Sequence, residues 1–387
     1  MASKLSHLTE EQLADLVDRY CNGTEKVVDL IRVFNINARP GDLARLLPPT
    51  VHKDLWCEYC KSQNLISRQE SRSGSQWSRP APECPKCGHR KITNCRCEKC
   101  EQARYEKEAI IENAKVNLIK VTFDGYVNDL DDPEQLVLKD AIYMLSLIRH
   151  SLSDDLNYVS PYELKPQPLA PTFEFTNEIC KHLQSKGLIQ ISELSNVNAF
   201  EFDEEITVIK GWYPDRVLWD FLPMLTNSIQ KARYIELLEE LVLGEVEQKA
   251  WEKDIKDFWL EIAKYECFEY FEHLLSQRGF NLKSFGPKTH AVFENLLKRY
   301  AVSQIFNLTW QTVRDITDYS VKSNMPKYQA KNMFIGALQR KADKFQAEGW
   351  EVKNSRRDFR CPQSFVSATF FDTYIGFGKE AMDIVVP

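Results

Sequence analysis

The strongest constraint on this chain is a cluster of seven cysteines within 44 residues, between Cys57 and Cys100. The spacing C-x-x-C occurs at 57–60 and again at 84–87, and C-x-C-x-x-C follows at 95–100. Each such knuckle places two thiolates on one tight turn, where backbone N–H groups bond to sulfur and four thiolates can surround one ion. The segment therefore predicts a metal-stapled module.

The knuckles resemble those of structural zinc ribbons, and this resemblance implies a rigid hairpin.

The number of thiols exceeds one tetrahedral site, so the way in which they share ions is open. We favour two zinc ions, with the thiols of 57–60 and 84–87 around the first and His89 completing a set with those of 95–100. Two alternatives remain: one thiolate bridges both ions, or one ion is held by 84–87 together with Cys97 and Cys100. The candidate ligands are Cys57, Cys60, Cys84, Cys87, Cys95, Cys97, Cys100 and His89. Closed thiolate sites are structural, and a polar, Arg-rich setting shelters an iron–sulfur cluster poorly, so we expect zinc without catalysis at the metal.

The N-terminus and the apolar runs bear on where the protein resides. No run approaches the roughly 18 apolar residues that span a bilayer. The first residues also lack the basic start and apolar centre of a secretion signal. We therefore expect a cytoplasmic protein without membrane contact, whose eleven cysteines stay reduced and form no disulfides.

Length and composition predict a multidomain α+β protein that is predominantly α-helical. The chain has 387 residues, which exceeds one compact core, and its 43% hydrophobic and 27% charged residues are typical of globular proteins. We predict four parts: a helix-turn-helix-like segment at 1–50, a zinc-ribbon-like module at 51–104, a winged-helix-like domain at 105–214, and a helical C-terminal domain with a short β tail at 215–387.

Local patterns favour that division. Thr9 is placed to cap a first helix, and Pro40 opens a third short helix after a tight turn, which is the order of a helix-turn-helix. The third helix, which would be the recognition helix, carries only Arg45, with Arg39 just before it. The alternative is therefore a helical hairpin that packs on the metal module. Two helices followed by two β segments between 133 and 214 have the order of a winged helix.

Further elements are predicted from apolar spacing. A strand is expected at 116–121 after a charged helix, and β structure is expected at 350–353 and 365–377 near the C-terminus. A long helix at 245–278 carries aromatic residues at spacings of three and four, which we interpret as a core-packing face.

Charge is distributed unevenly, although the net charge is only −6. Basic residues dominate 61–100 and 281–360, whereas acidic residues dominate 190–280. Basic side chains around the cysteines, with Trp77 available for base stacking, predict contact with nucleic acid. The candidate residues are Arg39, Arg45, Arg68, Arg72, Trp77, Arg79, Arg90, Lys91, Arg96, Lys99, Lys341, Arg356 and Arg357. A solvated surface, or pairing with the acidic middle in an oligomer, explains the same pattern.

Enzyme motifs are scarce in this sequence. It contains no GxxxxGK[ST], no GxGxxG after a strand, no HExxH and no GxSxG. The exception is Glu351 and Lys353, expected on one face of a strand. Metal-dependent nucleases use such a pair with an upstream aspartate, here Asp315, Asp318 or Asp343.

We therefore predict a zinc-containing nucleic-acid-binding or regulatory protein that is not an enzyme and has no catalytic residues. One alternative is a scaffold or adaptor in a multi-subunit assembly, in which zinc only stabilises a small domain. The other alternative is a nuclease that uses Glu351 and Lys353. Protein partners and self-association are compatible with each.

Overall fold

The computed structural model describes residues 4–61, 63–72, 81–125, 132–244, 249–280 and 284–387. Helices dominate, and the strands described form small sheets of two or three strands, which confirms a predominantly helical α+β class. The chain divides into two compact units, Met1–Ala114 and Lys115–Pro387. Within the described ranges, no helix combines the length and apolar character that crossing a bilayer requires.

The first unit begins with three short helices: α1 (Glu10–Asn22), α2 (Val27–Val33) and α3 (Leu43–Leu46). The predicted cap at Thr9 is confirmed, because its hydroxyl accepts a hydrogen bond from the Gln12 backbone at 3.3 Å. The Gln12 side chain returns to the Thr9 backbone N–H at 3.0 Å. Leu16, Leu30 and Leu43, one from each helix, are fully buried in a shared core, so the helices fold onto one another.

An antiparallel hairpin follows, formed by β1 (Thr50–Trp56) and β2 (Asn64–Ser67). The first cysteine knuckle is the turn between these strands. The second knuckle returns along β2, where the Ile66 and Glu83 backbones exchange two hydrogen bonds of 2.8 Å. Backbone pairing thus brings the two knuckles side by side, and Leu65 is buried in one cluster with Cys57 and Cys84.

A single long helix, α4 (Glu98–Phe123), occupies the region after the cysteines. The strand predicted at 116–121 is therefore wrong. Its β-branched content favoured a strand, but the shielded residues Val116, Ile119 and Phe123 are spaced by three and four, which is the period of a helix.

The second unit continues with α5 (Leu138–Ser151), β3 (Tyr158–Val159), α6 (Phe173–Ser185), β4 (Ile189–Ile191), β5 (Phe200–Phe202), β6 (Ile209–Trp212) and β7 (Trp219–Phe221). Strands β3, β7 and β4 form an antiparallel sheet in that order. Strands β5 and β6 form a separate hairpin inserted between β4 and β7. Trp219 and Phe221 of the central strand are buried, so this sheet covers part of the core.

The rest of the unit is helical: α7 (Ser228–Val242), α8 (Ile255–Gln277), α9 (Pro287–Leu297), α10 (Val302–Lys322), α11 (Lys327–Ala347) and α12 (Phe365–Ser367). Helix α8 contains the aromatic stripe predicted to pack in the core. That prediction is confirmed, since Phe258, Trp259, Tyr265 and Phe268 are all buried. Helix α8 therefore supplies a central part of the core of this unit.

The β tail predicted at the C-terminus is wrong. Residues 350–358 have no regular structure, and α12 continues into a π-helical turn, Ala368–Tyr374. Ser364 caps α12, because its hydroxyl accepts a hydrogen bond from the Ser367 backbone at 3.2 Å. Val366 and Phe370, four residues apart, are both fully buried, which is a helical spacing. The many phenylalanines of this segment made that spacing hard to recognise in the sequence.

Candidate metal centre

Four cysteines of the first two knuckles converge in the first unit. The Sγ atoms of Cys57, Cys60, Cys84 and Cys87 all lie within 4.8 Å of one another. Cys57 Sγ and Cys87 Sγ are 3.6 Å apart. Tetrahedral zinc with Zn–S bonds of ~2.3 Å separates its sulfurs by about 3.8 Å, so this spacing suits thiolates around one ion. We call these four residues the first cluster.

Each knuckle of the first cluster is a tight turn closed by backbone hydrogen bonds. Lys61 N donates to Cys57 O at 2.8 Å, and Gly88 N donates to Cys84 O at 2.9 Å. Both donors have a positive φ, 46° at Lys61 and 66° at Gly88. Glycine adopts this conformation freely, whereas lysine does so at a cost that persists only where surrounding structure imposes it. At Lys61, the tight turn of the knuckle imposes this positive φ.

A second cluster is formed by His89, Cys95, Cys97 and Cys100, whose ligand atoms also lie within 4.8 Å of one another. His89 Nδ1 lies 3.2 Å from Cys100 Sγ and 3.9 Å from Cys97 Sγ, so Nδ1 is the nitrogen that faces the thiols. The single-ion alternative that combined 84–87 with Cys97 and Cys100 does not match this grouping, because its thiols fall in different clusters.

In each cluster, hydrogen bonds from backbone N–H groups lower the pKa of one thiol. Burial opposes the charged form of Cys84, yet backbone N–H groups of its knuckle lower its pKa to about 7. Burial likewise opposes ionisation of Cys95, and the backbone N–H groups of Arg90 and Cys97 lower its pKa to about 6. Burial raises the pKa of Cys97 to about 11, so a bound cation is what would make that thiol a thiolate.

A contact that the sequence did not reveal joins the two clusters. Glu58, inside the first knuckle, places Oε1 at 3.1 Å from His89 Nε2. The neighbouring Tyr59 ring packs edge-on against the His89 imidazole, with centroids 5.0 Å apart. Its hydroxyl lies 3.6 Å from Cys100 Sγ. The middle residues of the first knuckle therefore support two ligands of the second cluster.

The two donor sets fit zinc. Four thiolates, and three thiolates with one imidazole, are the closed sets that hold structural zinc. A carboxylate on the far nitrogen of a ligating histidine orients the ring and raises its basicity, and Glu58 stands in that position to His89. Each cluster can thus hold one metal ion, with four protein ligands available for tetrahedral coordination.

Arg72, a predicted nucleic-acid contact, is engaged with the end of α1. Its Nε donates to Tyr20 O at 3.0 Å and its Nη2 to Arg19 O at 2.8 Å, and Glu25 O is a further acceptor. Its guanidinium also stacks over the Tyr20 ring at 4.8 Å. A cation over the last carbonyls of a helix stabilises that end, so Arg72 has a structural role.

Four other predicted residues form ion pairs. The pairs are Arg68 with Glu83 (3.7 Å), Arg90 with Glu83 (2.9 Å), Lys341 with Asp315 (2.7 Å) and Arg357 with Glu266 (2.7 Å). Glu266 is buried, so Arg357 is committed to a buried carboxylate and does not form part of a basic surface. Exposed ion pairs are weak and exchange readily, so Arg68 and Arg90 remain available for other contacts.

The remaining predicted basic residues are exposed. Arg39, Arg45 and Arg356 have no ion-pair partner in the part of the chain that the structure describes. The same holds for three residues of the second cluster's loop, Lys91, Arg96 and Lys99. Trp77 and Arg79 lie within 73–80, outside the described residues.

Two exposed aromatic side chains near Cys57 were not among the predicted site residues. Trp56 is 56% exposed and Tyr59 is 40% exposed. Both offer a ring face beside the first cluster. In the sequence, their position close to a metal-binding cysteine was the signal that could have indicated them. Only the fold shows that their side chains remain on the surface.

In the part of the chain that the structure describes, the strand expected for the nuclease alternative does not form. Glu351 and Lys353 are exposed in a segment without regular structure, so the strand that was to align them is absent. Asp315 is paired with Lys341, and Asp343 lies 3.2 Å from Arg299. Among the described residues, Glu351, Asp315, Asp318 and Asp343 belong to neither of the two groups of side chains that could hold a metal ion.

Comparison with known proteins gives a match to a short part of the chain. No family model matches the chain, and no solved structure matches it. An uncharacterized protein of Rickettsia conorii is 34% identical over 56 residues, which is 14% of this chain and 68% of that protein.

Proposed function

Because the chain belongs to the family of this rickettsial protein, whose name assigns no activity, we propose a function from the metal centre: zinc-stabilised binding of nucleic acid without catalysis. The observation that carries the proposal is the loop of the second cluster. Lys91, Arg96 and Lys99 are exposed on it, without an ion-pair partner among the described residues. Ligands at 89 and 100 fix the ends of this loop, so its cations are held in place for phosphates.

Exposed aromatic rings strengthen the proposal. Trp56 and Tyr59 lie beside the first cluster and offer ring faces on which unpaired bases stack. Such stacking tolerates any base, so we propose that the module favours single-stranded or unpaired segments without strong sequence preference. Tyr59 also contacts the second cluster through Cys100, which links the aromatic and basic parts of the module.

The role of zinc in this proposal is to fold the module. The buried core around the hairpin consists, among the described residues, of Leu65 with the sulfurs of Cys57 and Cys84. One leucine buries too little apolar surface to offset the entropy of ordering the hairpin. Metal–ligand bonds therefore supply the missing folding free energy.

We assign the N-terminal helices a supporting part. Helix α3, which would be the recognition helix of a helix-turn-helix, has four residues and one arginine. A helix of one turn presents too few side chains to read a groove. Arg45 in this helix and Arg39 four residues before it are exposed and can add phosphate contacts to those of the module.

The middle domain supports a second, different contact. Two observations favour the winged-helix interpretation of 105–214: α6 directly precedes β4, and the β5–β6 hairpin follows β4 as a wing would; the sheet also includes β7 just beyond that range. However, α6 exposes Glu174 and Glu178, and the hairpin exposes Glu204 and Glu205. These carboxylates repel phosphate, so we propose that this domain binds protein.

The nucleic-acid proposal is tested with the full zinc-loaded chain and labelled oligonucleotides, single-stranded and duplex, by fluorescence anisotropy at several salt concentrations. We expect affinity to fall steeply with salt, because basic contacts release counterions. Replacing Lys91, Arg96 and Lys99 together by glutamine should reduce the slope of log affinity against log salt by roughly 0.7 to 0.9 for each phosphate that is no longer neutralised.

The matched control is Arg233→Gln, at an exposed arginine of α7 that pairs with Glu236. It should leave the slope unchanged. Salt-independent binding, absence of binding, or an equal reduction in the control would each reject the proposal. A salt slope that depends only on the three loop residues supports it.

An adaptor that self-associates is the second candidate, favoured by complementary exposed charges. Glu204 and Glu205 are acidic on the hairpin, whereas Arg340 and Lys344 are basic on α11. Copies of the chain can pair these patches across an interface. Light scattering tests this: the mass should fall from oligomer to monomer as salt rises, and Glu204→Lys with Glu205→Lys should give a monomer at low salt.

A further inference from the structure

A cavity of about 630 Å³ lies within the second unit. It is bounded by α8, by residues 354–363 and by the C-terminal turns between 371 and 383. Trp259, Phe371 and Met382 supply apolar wall. This volume lies in the range of sites that enclose a drug-sized molecule, and apolar walls with few polar groups are typical of such sites.

The polar part of the cavity is an incompletely paired arginine. Arg357 Nη2 donates to Glu266 Oε1 at 2.7 Å, and Ser367 Oγ donates to the same oxygen at 2.7 Å. The second terminal nitrogen, Arg357 Nη1, is buried and has no hydrogen-bond partner among the described residues. A buried guanidinium N–H without an acceptor is costly, so an acceptor that enters the cavity would remove that cost.

A nearby carboxyl group does not satisfy this nitrogen. Glu269 Oε2 is also buried and without a hydrogen-bond partner among the described residues. Burial, together with the charge of Glu266, raises the pKa of Glu269 well above its ordinary value. Burial thus disfavours a second negative charge at Glu269 beside Arg357.

The charges along the cavity wall leave a positive end. Arg356 is exposed and has no ion-pair partner in the described ranges. Asp358 is already engaged, with Oδ1 accepting a hydrogen bond from Arg360 N at 2.9 Å and Oδ2 lying 3.9 Å from His273. Asp383 is an exposed carboxylate of the wall, and the adjacent arginines 356 and 357 mark the part of the wall where an anion is favoured.

We propose that this cavity binds a small organic anion with a flat apolar body. Its carboxylate, sulfonate or phosphate accepts a hydrogen bond from Arg357 Nη1, and its ring packs against Trp259 and Phe371. Phe359, which lines the cavity and is 83% exposed, stands at the rim where it can cover the bound molecule. This site is independent of the metal centre and of the nucleic-acid proposal.

The test uses the full chain and two fluorescent probes of similar shape: anilinonaphthalenesulfonate, which is anionic, and phenylnaphthylamine, its neutral counterpart. We expect one saturable site per chain that prefers the anion at least tenfold. Arg357→Lys keeps a cation opposite Glu266 but removes the forked second nitrogen. It should weaken sulfonate binding at least tenfold and leave the neutral probe unchanged.

Two further variants make the result decisive. Arg360→Lys changes an exposed arginine that stacks on Phe359, and it should bind both probes as the wild type does. Met382→Trp fills the cavity and should abolish binding of both probes while the unfolding transition is retained. Equal affinity for the two probes, wild-type sulfonate binding by Arg357→Lys, or undiminished binding by Met382→Trp each overturns the proposal. If Arg357→Lys does not fold, Met382→Trp and the probe preference decide.

Discussion

Glu58 Oε1 lies 3.1 Å from His89 Nε2, so a residue of the first cysteine knuckle holds a ligand of the second cluster. This contact leaves His89 Nδ1 directed at the thiols of Cys97 and Cys100. The two clusters are therefore connected by a carboxylate–imidazole contact as well as by the chain, and each ion should be sensitive to the residues around the other.

Removing that contact should weaken one zinc site selectively. Glu58→Ala leaves His89 free to rotate, and loss of such a supporting partner typically costs about 10- to 100-fold in metal affinity. We expect two phases of zinc release to a chromophoric chelator, with only one accelerated in the variant. Lys86→Ala, at an exposed middle position of the other knuckle, is the control and should release both ions at wild-type rates. Identical release from Glu58→Ala and wild type would contradict this role.

Removing both ions should unfold the cysteine module and leave the second unit folded. The hairpin has almost no apolar core, whereas the core of the second unit is large and contains none of the clustered thiols. After chelation, limited proteolysis should cut between 50 and 100 first and release a stable C-terminal fragment. Re-adding zinc should restore protection. A module that resists protease equally with and without metal would show that the thiols do not hold it together.

Arg72→Ala should destabilise the N-terminal helices. The side chain bonds the last carbonyls of α1 and stacks on Tyr20, contacts that together are worth about 1 to 2 kcal/mol. Chemical denaturation followed by circular dichroism should show this loss in the first unit. Arg68→Ala removes an exposed arginine whose contact with Glu83 is long, and it should change the free energy of unfolding by less than about 0.5 kcal/mol.

Stability of the second unit should decrease in mild acid because of His150. Burial lowers the pKa of His150 to about 4, aided by the charge of Lys165, and both ring nitrogens lack hydrogen-bond partners among the described residues. The folded state thus keeps the ring neutral, while the unfolded chain binds a proton below about pH 6.5. The contribution of the neutral His150 ring to the free energy of unfolding is complete above about pH 6.5. It declines by up to about 1.4 kcal/mol per pH unit as the pH falls towards 4.

The measurement is denaturant unfolding of wild type and His150→Gln at pH 7 and pH 5. Glutamine does not titrate, so the loss between the two pH values should be smaller in the variant. Because both proteins carry the same carboxylates and thiols, their difference isolates the histidine. Equal losses would mean that His150 is not the group that titrates.

Local spacing explains what could be predicted from the sequence. The cysteines of a knuckle are three residues apart, so a tight turn alone decides that they are neighbours. The partner of His89 could not be predicted in this way, because Glu58 is 31 positions earlier in the chain and meets it only through the pairing of β2 with the second knuckle. Long-range contacts of this kind depend on the fold.

Charge was predicted less well than metal ligation. In the sequence, Arg72 and Arg357 are cations within basic stretches. In the fold, Arg72 caps the end of α1, and Arg357 pairs with the buried Glu266. A sequence gives the sign of a side chain but not its partner. The β tail failed for a related reason, since phenylalanine density favours a strand and only the burial of Val366 and Phe370 reveals the helical period.

The last thiol of the second cluster has a consequence for the long helix that follows. Cys100 lies in the first turn of α4, which has 26 residues and extends for about 39 Å. Thiolates at this position are favoured by the positive end of the helix dipole, and an ion bound to them fixes the first turn in space. Zinc occupancy therefore sets where the helix starts, and a chain that lacks this ion should begin the helix later and present a shorter rod.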